Sequence, residues 1–144
     1  MQKRSLVFIL FLLMFSCKEK QLADYNVQQP LMYEPSEMAL LMRQMYEVNK
    51  VTKNQLVNGK LLMAFPKDFM SIHSAVLTDP SERDAEFDSL AKVFIVHQQA
   101  AFSLQDNDSA VYHFNESVAA CVTCHESRCT GPIPKIKKLQ ILID

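Results

Sequence analysis

Glycine is almost missing from this chain: Gly59 and Gly131 are the only two in 144 residues. Tight hairpin turns draw on residues that tolerate positive φ. The aromatic and β-branched residues also fail to fall into alternating runs, so a sheet of strands joined by tight turns is not expected. Long apolar runs are missing as well. The longest, Leu6 to Phe15, has ten residues, whereas a helix that crosses a bilayer needs about 20. There is no excess of positive charge. Fifteen Lys and Arg stand against sixteen Asp and Glu, which leaves no basic stripe of the kind that follows nucleic acid. No internal repeat is present.

What is there begins with the N-terminus. Lys3 and Arg4 precede the apolar run, and Ser16 and Cys17 follow it. A basic start, a short apolar stretch and a small residue form an export signal. Ser16-Cys17 directly after the apolar stretch resembles the cleavage site of bacterial lipoproteins. That resemblance implies that residues 1–16 are removed and that Cys17 carries lipid at the new N-terminus. An ordinary secretory signal is the alternative. Removal of Lys3 and Arg4 takes the formal charge from −1 to −3 and leaves 128 residues, enough for one domain with one core. Residues 17–34 are polar and aperiodic and read as a tether, and residues 35–144 as the folded domain.

The chemistry is concentrated in Cys121-Val122-Thr123-Cys124-His125. C-x-x-C-H is the attachment signature of c-type haem: two thiols bind the vinyl groups and the histidine offers a nitrogen to iron. Two other readings compete. Cys121, Cys124, His125 and Cys129 could form a Cys3His zinc set, and a C-x-x-C pair can form a disulfide or a redox dithiol. Export favours haem, which bacteria attach outside the cytoplasm. Lipid on Cys17 leaves three thiols, an odd number. Two thioethers and a free Cys129 account for them.

Apolar residues at three- and four-residue spacing dominate the rest, which predicts an all-α domain. A first helix fits Ser36 to Asn58, with Ser36 as cap and Gly59 as a left-handed end. Its stripe is Met38, Leu41, Met42, Met45, Val48, Thr52 and Leu56. A second fits Lys67 to Leu77 behind Pro66. A third opens at Asp79-Pro80-Ser81-Glu82 and carries Phe87, Leu90, Phe94, His97, Ala101 and Leu104. A fourth spans Ser109 to Cys129, with Val111, Phe114, Val118, Cys121, Val122 and His125 on one face. Thr130-Gly131-Pro132 ends it, Pro134 opposes a restart, and Lys135, Lys137 and Lys138 read as a solvated tail. Four helices with short connections suggest an antiparallel four-helix bundle with the motif on the last helix.

A C-x-x-C-H on the last of four helices, behind a Met-rich first helix, resembles the class II c-type cytochromes, the c-prime and c-556 group. The likeness covers residues 35–131. It implies one covalent haem c on Cys121 and Cys124, His125 as proximal ligand, and a distal residue from the first helix. Counting back from Gly59 lands near Arg43, with Met42 the nearest apolar candidate, Met45 the next and Met38 on the same stripe. His97 is the histidine rival, since His73 and His113 read as surface or hydrogen-bonded residues. The family has an arginine four residues after the histidine. Here Cys129 holds that position and Arg128 precedes it, and Cys129 reads as a small buried thiol. The resemblance further implies a lipid-anchored electron carrier of the cell envelope, not an enzyme, which meets redox partner proteins and can pair as a homodimer. With no sixth ligand, the iron would bind nitric oxide or carbon monoxide instead.

Overall fold

Why the first helix forms where it does is visible at both ends. In the computed structural model, which describes residues 34–60, 62 and 64–142, helix α1 spans Glu37–Val57. Ser36 is extended, and its hydroxyl accepts from the Ala39 amide at 3.1 Å, which satisfies one of the unpaired amides of the first turn. At the other end Gly59 takes φ 63°. The Lys60 amide reaches the Gln55 carbonyl and the Gly59 amide reaches Leu56, both at 2.9 Å. This is the left-handed closure expected of a glycine there. The buried face carries Met38, Leu41, Met45, Asn49, Thr52 and Leu56.

The second segment departs from expectation. Lys67–His73 is a 3-10 helix that ends four residues short of Leu77. Arg83 explains the early end. Its guanidinium donates to the carbonyls of Ile72 at 3.4 Å, His73 at 3.0 Å and Ala75 at 2.6 Å. Those carbonyls are satisfied without a further helical turn. Phe69 and Ile72 are buried from this segment.

The third helix also begins later than Asp79. That residue caps only a short 3-10 turn, Pro80–Glu82, by accepting from the Ser81 amide at 2.9 Å. Arg83 then turns the chain, and Asp84 caps helix α2, Ala85–Ser103, by accepting from the Phe87 amide at 2.8 Å. Helix α3, Asn107–Arg128, starts two residues before the expected Ser109. Asp106 accepts from the Ser109 amide at 2.8 Å, so Asp106-Asn107-Asp108 opens the helix.

After Thr130 the chain restarts as α4, Ile133–Ile136, and a 3-10 turn, Lys137–Leu139. Pro134 lies in the first turn, where a missing amide proton costs nothing. The tail is not simply solvated. Ile136, Leu139 and Ile141 are buried in the core. Asn115 clamps Ile141 by donating to its carbonyl and accepting from its amide, both at 2.8 Å. Lys53 of α1 donates to the carbonyls of Lys138 and Gln140 at 2.9 Å.

The domain is all-α, with no strand among the described residues. The most extensive packing lies between α2 and α3. Apolar side chains form two clusters. One joins Met38, Leu41 and Met45 to Phe69, Phe87 and Phe94. The other joins Leu56, Ala101, Phe114 and Val118 to the tail. Between them along α1 and α2 lies a polar layer. Gln98 is fully buried and donates to Asn49 Oδ1 and Ser117 Oγ, each at 2.8 Å. Residues 1–16, Cys17 and the tether as far as residue 33 lie outside the described residues.

Candidate functional site

One turn separates Cys121 from Cys124 and His125 on α3, because residues three and four apart share a helix face. All three line a single cavity. Ala120 completes the α3 wall, Met42 and Met45 come from α1, Ile72 from the 3-10 segment, and Phe87, Leu90, Ala91 and Phe94 from α2. Both methionines expected as distal candidates therefore face the same space as the motif. Met38 lies in the adjacent core.

His97 is not at the cavity. Its Nδ1 sits 2.9 Å from Nδ1 of His113, on a partly buried pair between α2 and α3. That pairing leaves His97, the histidine rival to Met42, a hydrogen-bonded residue away from the motif. Cys129, read as a buried thiol, is exposed at the end of α3. Its backbone has the important contact: the Cys129 carbonyl lies 2.9 Å from His125 Nδ1. A carbonyl can only accept, so Nδ1 carries the proton and the lone pair resides on Nε2. Metal-binding histidines are oriented in the same way.

Arg128 closes the rim. It donates to Asp84 at 2.7 Å, Glu86 at 3.1 Å and the Glu82 carbonyl at 2.9 Å. Its guanidinium lies 5.8 Å from the Phe87 ring centroid, and that of Arg83 lies 5.0 Å from it. A wall residue of the cavity is thus flanked by two cations tied to neighbouring backbone.

The thiols are electrostatically quiet. Burial pushes the Cys121 thiol up to about 12, with Cys124 adding to the effect. Burial also raises Cys124, and the nearby Arg128 guanidinium opposes it. A redox dithiol reacts as its anion, which a lowered value supplies. These two thiols are held as S–H. Among the described residues no three His, Cys, Asp or Glu side chains converge as a metal set.

The donor set suits haem: two neutral thiols, one oriented imidazole and thioethers, in a wall otherwise aliphatic and aromatic. The space between the walls is about 40 Å³, room for roughly three or four water molecules. A macrocycle needs α1 and the 3-10 segment to stand further from α3. The packing of α1 on α3 is much sparser than that of α2 on α3.

The polar layer was missed from sequence. Asn49 and Gln98 each lie four residues beyond a cavity residue, Met45 and Phe94, and Ser117 lies four before Cys121. A polar residue on the apolar stripe at that spacing is the signal that marks it. No protein-family model matches the chain, and no curated protein or solved structure matches it.

Proposed function

We propose that this chain is a monohaem c-type cytochrome carried on a lipid-anchored helical domain, and that it transfers electrons in the bacterial cell envelope. The observation that carries the reading is the joint placement of Cys121, Cys124 and His125 with Met42 and Met45 on one apolar cavity. Haem supplies a one-electron iron centre there. The chain's own residues do the rest. Cys121 and Cys124 would tether the group, and the Cys129 carbonyl, at 2.9 Å from His125 Nδ1, would leave Nε2 free to hold the iron. Met42, on the same cavity, would offer its thioether to the group, and Phe87, Phe94 and Ile72 would keep water from it.

The domain is read as an antiparallel four-helix bundle of the class II cytochrome type, with Lys67–His73 as its shortest member. Pairings in opposite order along α2 and α3 support that arrangement: Asp84 with Arg128, and His97 with His113. The three-residue link between the two helices supports it too. Cys17 is the proposed lipidation site, and the partners are redox proteins at the membrane, with a homodimer as the self-association.

The test is expression with a cytochrome c maturation system, followed by a pyridine haemochrome spectrum and intact mass. One haem that stays on the chain after denaturation, and is lost in Cys121→Ala/Cys124→Ala, is expected. Lipid on Cys17 appears in the same mass. A chain that leaves the system without covalent haem overturns the reading. Carbon monoxide then separates carrier from gas binder. An unchanged ferrous spectrum, converted to a carbon monoxide-sensitive one by Met42→Ala, is expected, whereas rapid binding by the wild type assigns an open iron.

A further inference from the structure

The His97–His113 pair lies on residues that the haem reading does not use. His97 belongs to α2 and His113 to α3, the two helices packed most extensively on each other. Their rings meet nitrogen to nitrogen, Nδ1 to Nδ1 at 2.9 Å, with centroids 5.1 Å apart and planes 37° from parallel. Both residues keep part of their surface in solvent. The Tyr112 ring stands edge-on to His113, with centroids 5.1 Å apart at 74°.

Two imidazoles at that distance share one proton when nothing else is present. The same spacing is a chelating bite. Bonds of about 2.05 Å from each nitrogen to a cation close a 2.9 Å separation at an angle of about 90°. That is a cis angle of octahedral or tetragonal geometry, tighter than a tetrahedron offers. The nitrogens point at one another, so both rings must turn outward about their terminal torsion, which is a broad and soft rotation. In the neutral pair the hydrogen between the Nδ1 atoms moves, through solvent, to Nε2 of the ring that held it, so each ring then carries its one hydrogen on Nε2.

We propose that His97 and His113 form a two-histidine site for a divalent cation of the nickel–copper class. Imidazole suits these ions, and their geometries favour cis angles near 90°. No third His, Cys, Asp or Glu converges on the pair among the described residues, so water fills the other positions. The helix packing already holds the two side chains beside each other, so binding asks only for the ring rotations.

Nickel titration of the full chain under reducing conditions tests the site. One Ni²⁺ per chain is expected, without the absorbance of a thiolate-bound ion. Affinity should fall at least tenfold in His97→Gln and in His113→Gln, and stay within twofold in His73→Gln. Wild-type protein that binds no nickel, or variants that bind it equally well, overturns the site. Proton NMR of the wild type gives a reading that depends on no substitution. Selective broadening of the His97 and His113 ring signals by Ni²⁺ supports the site, and broadening centred on other residues rejects it.

Discussion

A thiol reacts as its anion. The Cys121 sulfur, held up to about 12 by burial, stays protonated at any ordinary pH, while Cys129 is exposed at a helix end. In the haem-free full chain at about pH 8, iodoacetamide should therefore label Cys129 at least tenfold faster than Cys121. Peptide mapping by mass spectrometry reads the rates, and equal labelling would mean that the cavity opens freely. At this scale the site was partly readable from sequence. C-x-x-C-H is a pattern along one helix, so its recognition needs no tertiary knowledge. The stripe containing Met42 and Met45 also follows from one helix alone. The pairing of His97 with His113 does not, because it depends on how α2 and α3 slide past each other. The partner of the Gln98 side chain is hidden for the same reason. Its Oε1 is buried with no hydrogen-bond partner among the described residues.

Three helical segments in this chain start on aspartates. Asp79, Asp84 and Asp106 each accept an amide at the head of a helical segment. The carboxyls are held below their ordinary value of 3.8. The Ser81 hydroxyl and amide lower Asp79, the Phe87 amide and then Arg128 lower Asp84, and Ser109 lowers Asp106. A carboxyl with a lowered value in the fold binds protons more readily when unfolded. Its contribution to stability is complete above 3.8 and disappears as pH falls through the lowered values. Thermal midpoints should thus be flat from neutral pH to about 5 and drop below about 4. Asp106→Ala should lower the midpoint at neutral pH by a few degrees and lose less on acidification, as followed by circular dichroism. Caps are local, which is why Ser36 and Gly59 were readable as the ends of α1. Asp79-Pro80-Ser81-Glu82 was read too generously for a nonlocal reason. The Arg83 guanidinium is spent on the carbonyls of Ile72, His73 and Ala75, and the chain must bend to deliver it.

The described residues lie in one compact unit, and its last turns close it. Ile136, Leu139 and Ile141 are each at most 9% exposed, and burying such side chains stabilises a fold by about 1.5–3 kcal/mol apiece as an upper estimate. A chain ending at Gly131 should lose much of the stability that a domain of this size has, about 5–15 kcal/mol. Its urea transition should move sharply to lower concentration, while a chain ending at Leu142 should match the full protein. Retention of the full midpoint by the shorter chain would show that the tail is ornamental. The all-α class was readable because three long stripes recur with helical period. The role of the tail was not, since three lysines and two prolines in ten residues look like solvent-facing chain until Asn115 and Lys53 are seen to grip its backbone. That grip has a consequence for the order of events. Ribosomes make a protein from its N-terminus, so the residues that seal the second cluster are made after all three long helices. The second cluster cannot close before Ile141 has been made, however early the three long helices form.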